Sequence, residues 1–94
     1  MNRKTPVSAL QSRIQKAFTR RLLAKRSADE QLAAFYDEAR PLAEELLKAA
    51  GWKLWTTFLN RPDDNLWRKQ VGQTTYTCGW VTAITTEEQL EREA

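Results

Sequence analysis

A chain of 94 residues with 41% hydrophobic and 29% charged side chains can build one core without metal or disulfide staples, and is too apolar for a disordered chain. No histidine and a single cysteine exclude Ser–His and Cys–His dyads, a zinc site of four soft ligands and an internal disulfide. The formal charge of +3 is segregated: residues 1–26 carry +8 with no acid, and the remainder carries −5.

Residues 1–7 read as a basic tail ending in Pro6-Val7, with Ser8 placed to cap a first helix. Leu10, Ile14, Ala17, Phe18 and Leu22 recur at helical spacing and form one apolar stripe. Arg13, Lys16 and Arg20 share a flanking, wholly cationic face. Arg21 and Lys25 fall back into the stripe, where they must snorkel past the core edge, mark the helix end or meet a partner.

Ser27-Ala28-Asp29-Glu30 fits the capping-box pattern and predicts a second helix over 28–50. Leu32, Phe35, Tyr36, Ala39, Leu42, Ala43, Leu46 and Ala50 keep one phase along it. At ~100° per residue Pro41 falls opposite that stripe, so one kinked helix with an exposed proline is expected, ending at Gly51.

Beyond Gly51 the aromatic and threonine content suits strands over 52–60, 66–71 and 74–84, with turns at 61–65 and Gly72 and a bulge at Gly79. Thr85-Thr86-Glu87-Glu88 offers a cap for a short acidic helix. The expectation is an α+β fold: two N-terminal helices packed on one face of a three-stranded antiparallel meander, then a short C-terminal helix. One small domain covers 1–94, with its basic segment at 1–26.

Strand alternation puts Trp52, Leu54 and Phe58 on one sheet face and Trp55, Thr57 and Leu59 on the other. In the third strand Tyr76, Cys78 and Trp80 share a side, with Thr75, Thr77 and Val81 opposite. Two helices cover one face and hardly both. Trp55 and Leu59, joined by Val81, are therefore expected to stay partly exposed as a partner or self-association surface.

Little in the chain suggests chemistry. Cys78, in an aromatic strand without a histidine partner, reads as core filler. Glu44-Glu45 and Glu87-Glu88 are helical neighbours that point ~100° apart and do not share a site unaided. Asp63-Asp64 lies near Arg68 and Lys69 but lacks the separated acid that a metal-dependent nuclease uses, and reads as a turn. Three scattered glycines make no phosphate loop. We expect no enzyme, no cofactor and no metal.

No apolar run reaches bilayer length, and basic residues interrupt any secretory signal. The N-terminal segment shares the Arg-rich, acid-free composition of a transit peptide. A retained part of the fold and a cytoplasmic location are expected, in keeping with the lone cysteine.

Two functional readings follow. The first is a non-catalytic module docking nucleic acid or a nucleoprotein through Arg3, Lys4, Arg13, Lys16, Arg20, Arg21 and Lys25, which release counterions from phosphates. The second is a protein-binding adaptor or inhibitor, of the kind found among small phage and mobile-element proteins. It would use the basic helix and the aromatic sheet face against an acidic protein surface, and a homodimer through that face is allowed. Membrane-surface attachment is weaker, because the apolar stripe is needed for the core. A solvated helix face and all-core tryptophans are the plainer alternatives. Eight bases without an intervening acid argue against the first of these.

Overall fold

The computed structural model describes residues 5–23, 26–57 and 65–93, with the side chains of 21–23 and 26–29 excepted. Helix α1, Pro6–Leu23, starts earlier than expected because Thr5, not Ser8, caps it. The Thr5 hydroxyl accepts the Ser8 N–H at 3.0 Å, and its carbonyl accepts the Ala9 N–H at 2.9 Å. Pro6 thus occupies the first helical position, where a missing N–H costs nothing. The same hydroxyl donates to Glu91 Oε2 at 2.6 Å, which pins this end of α1 to the last helix.

Helix α2, Arg26–Ala49, begins slightly ahead of the expected 28, so Ser27 lies inside its first turn. The helix runs unbroken through Pro41, which is exposed as the stripe required. Its buried line keeps Leu32, Ala39 and Ala43 of the expected stripe but adds Leu47, whereas Leu42 is 46% exposed. Leu42-Ala43 and Leu46-Leu47 are doublets that allow two phases, and the helix terminus selects between them. Gly51, at φ +97°, donates its N–H to Lys48 O at 3.1 Å, and Trp52 donates its own to Leu47 O at 2.9 Å. This paired closure brings Trp52 back onto Leu47, and both are buried.

Three strands follow: β1, Lys53–Thr57, β2, Asn65–Val71, and β3, Thr74–Gly79, antiparallel in the order β1-β2-β3. Gly72 at φ +61° opens the two-residue turn that joins β2 to β3. The third strand stops at Gly79 instead of reaching residue 84. Helix α3, Trp80–Glu93, starts at once and is no short appendage. Trp80, Ala83, Ile84 and Glu87 are its buried residues together with Glu88, a spacing of three and four that only a helix satisfies. Val81, Thr82 and Ile84 had favoured a strand by composition alone. Gly79 is accordingly the residue before a helix and not a bulge.

The α+β architecture matches the expectation, with the helices packed against the sheet, but α3 is a full member of the helix layer. It lies against α1, α2, β2 and β3. The core joins Val7, Leu10 and Ile14 of α1, Ala39, Ala43 and Leu47 of α2, and Ala83 and Ile84 of α3 around the indoles of Trp52, Trp67 and Trp80. Alanines at the contacts leave room for the three large rings. Trp80 meets Tyr36 edge-on at 5.3 Å, and Tyr36 meets Phe18 at 6.0 Å, where the core runs out towards the end of α1. The Trp67 N–H is buried without a hydrogen-bond partner among the described residues, so this ring serves the core by its volume.

Polar contacts join the layers. Trp52 Nε1 and Lys69 Nζ both donate to Glu87 Oε1, at 2.9 and 2.6 Å, and the glutamate side chain is only 7% exposed. Asn65 donates to Glu44 Oε2 at 2.9 Å and accepts from Thr57 at 2.7 Å, linking α2 to β2 and β1.

Two stability outcomes follow from these contacts. Replacing Gly51 with alanine forces a Cβ into the left-handed region and should cost about 1–2 kcal/mol in urea unfolding. The site has room for the atom, so the loss arises from the backbone. Glu87→Leu strands two donors. With Lys69 partly solvated it should cost about 2–4 kcal/mol, and Glu87→Gln less, because one acceptor survives.

Candidate functional site

Helix α1 buries Val7, Leu10 and Ile14 and turns Arg13, Lys16 and Arg20 outward. The three cations line one groove of about 270 Å³, together with Ala17 and, from α2, Gln31, Leu32 and Phe35. Its rim is basic and its floor apolar. The expected cationic face is thereby brought together in space. Lys16 and Arg20 also border a second depression on α1, beside Ser12, Gln15 and Thr19, so they stand on the ridge between the two.

The cations are not equivalent. The Arg13 guanidinium lies 5.2 Å from the centre of the Phe35 ring and 3.6 Å from Glu38 Oε1. Glu38 is 77% exposed, which makes the ion pair weak and easily exchanged for another anion. Lys16 and Arg20 have no carboxylate partner among the described residues. Arg3, Lys4 and Lys25 lie outside the described residues. Arg21 continues α1, but its side chain is outside them too.

The second surface is the sheet face turned away from the helices. Trp55 is 55% exposed, as expected for that face, and Leu59 lies outside the described residues. Val81 does not belong there. It sits in the first turn of α3 and packs against the core, because the strand that was to carry it ends at Gly79.

The sequence pattern missed two residues of this face. Lys53 pairs with Arg68 across β1 and β2, and cross-strand partners share a side. The register shifts between Leu54 and Thr56, so Trp55 is the extra residue of a bulge. The Arg68 guanidinium lies 5.6 Å from the centre of its ring. A signal was available: the three strands contain no acid at all.

Compared with known proteins, the chain matches no family model, no curated protein and no solved structure. The chemistry of its two surfaces is therefore what speaks for its function. Among the described residues no group of three or more acids and cysteines could hold a metal, and no helix is long and apolar enough to cross a membrane.

Cys78 stands opposite Trp67 on the helix side of the sheet, and burial pushes its thiol pKa up. Less thiolate at neutral pH means a poor nucleophile. Native protein should react with iodoacetamide at neutral pH far more slowly than urea-unfolded protein, as mass spectrometry over time would record.

Proposed function

We propose that the chain is a non-catalytic binding module that docks a polyanion, nucleic acid or a nucleoprotein, through α1. What carries this reading is the convergence of exposed Arg13, Lys16 and Arg20 on one groove, two of them without a carboxylate partner among the described residues. Successive cations at i, i+3 and i+7 are displaced by about 4.5 and 6 Å along a helix axis, close enough to engage neighbouring charges of one polyanion. Each phosphate so neutralised releases counterions, which gives affinity without base readout.

The apolar floor of Ala17, Leu32 and Phe35 favours a second reading, an adaptor or inhibitor that seats an acidic, partly apolar protein segment. Salt separates the two. Nucleic-acid affinity should fall steeply as salt rises, whereas a partner held by apolar anchors survives moderate salt and nuclease treatment.

Reversal of Arg13, Lys16 and Arg20 to glutamate together should abolish binding to a labelled duplex in fluorescence anisotropy, with the circular dichroism spectrum unchanged, because all three side chains are exposed. Each single change to alanine at a phosphate contact should lower the salt-dependence slope by about one unit. Unchanged affinity in the triple variant would reduce the basic face to a solvated surface.

A further inference from the structure

We infer that the outer face of the sheet is a second nucleic-acid contact, on which Trp55 stacks against an unpaired base while Lys53 and Arg68 engage the adjoining phosphates. The inference rests on the polyanion reading of α1 and deepens it, since it makes the ligand single-stranded.

The argument begins with a contrast among the tryptophans. Trp52, Trp67 and Trp80 are each at most 5% exposed, while Trp55 is 55% exposed. Leaving an indole in water forgoes about 25 cal/mol for every Å² of apolar surface left unburied, a loss that a ligand stacked on the ring recovers. Arg68 approaches one side of the ring and leaves the indole anchored by a cation–π contact. An aromatic ring flanked by cations on an open sheet is the arrangement that binds single strands with little sequence preference.

Charge and composition select the occupant. Lys53, Arg68 and Trp55 stand on this face with the hydroxyls of Thr56, Thr75 and Thr77, and no strand residue is acidic. Duplex bases are stacked on one another and offer no ring face, so Trp55 distinguishes a single strand from a duplex. A second copy fits poorly. Two-fold pairing of this patch would bring the Lys53 and Arg68 cations of both copies together, and Trp55 with Leu66 is too little apolar surface for the centre of a dimer.

The test compares the wild-type chain with Trp55→Ala, Trp55→Phe and the triple glutamate variant of α1. The probes are a labelled oligothymidine of about 12 nucleotides, within the range one small domain covers, and a duplex of equal length. Trp55→Ala should weaken the single strand by about 5- to 100-fold and leave duplex affinity unchanged, while Trp55→Phe keeps most of the single-strand affinity. Oligothymidine should also quench part of the wild-type tryptophan fluorescence, and that part should vanish in Trp55→Phe, whose remaining indoles are buried. This readout stands even if the alanine variant folds poorly.

Wild-type single-strand affinity in Trp55→Ala, with binding lost in the triple variant, would overturn the sheet contact and leave the α1 reading standing. Wild-type protein that binds neither probe would overturn both. A dimer in sedimentation that Trp55→Ala dissolves, or a protein partner that Trp55→Ala alone releases, would assign the face to that occupant and overturn the inference.

Discussion

A single carboxylate oxygen in the interior receives both the indole N–H of Trp52 and the ammonium of Lys69. Trp52 belongs to the joint between α2 and β1, Lys69 to β2 and Glu87 to α3, so one acceptor fixes three parts of the chain against each other. A buried carboxylate is costly unless its charge is matched and hydrogen-bonded, and here the Lys69 ammonium matches the charge while two donors from residues far apart in sequence converge on Oε1. That requirement makes the arrangement specific. Apolar packing around Trp67 and Trp80 would tolerate small slides, whereas the two donors cannot move without leaving Glu87 exposed to a full desolvation penalty.

The joint itself is built locally. Gly51 in the left-handed region closes α2 and aims Trp52 into the core within two residues, which places its N–H where Glu87 can accept it. Helix α1 is attached differently. It contributes three aliphatic side chains, and it is pinned to α3 by polar contacts: Thr5 to Glu91, and the Thr85 hydroxyl to Gln11 at 3.0 Å. A helix without acids thus rests on one that carries Glu87, Glu88, Glu91 and Glu93.

Long periodic segments were legible in the sequence. The stripe of α2 carried through Pro41 because the ring points outward, and β2 was bounded by turn residues on either side. The misreadings have physical causes. Residues 80–86 are rich in valine, isoleucine and threonine, so composition suggested a strand, yet the buried positions recur with helical period. Tertiary burial overrode local preference there. Thr5 displaced Ser8 because Pro6 is suited to the first helical position, a cue that lay just ahead of the expected start. Leu42 and Leu47 exchanged roles because two leucine phases compete on α2 and the Gly51 closure favours one. For the candidate sites, clustering on α1 followed from spacing alone. The company Trp55 keeps with Lys53 and Arg68 depends on cross-strand register and a bulge, neither of which a single strand reveals.

The extra residue in β1 has a further consequence. β1 and β3 are the outer strands of an open sheet, and a regular outer strand offers a row of unpaired amides and carbonyls to any passing chain. A bulge interrupts that row and increases local twist, and the Lys53 ammonium beside it disfavours a flat, uncharged approach. The irregularity that turns a large indole into solvent therefore also spoils β1 as a template for fibre growth. The molecule can keep a sticky side chain on display without polymerising through the edge that carries it.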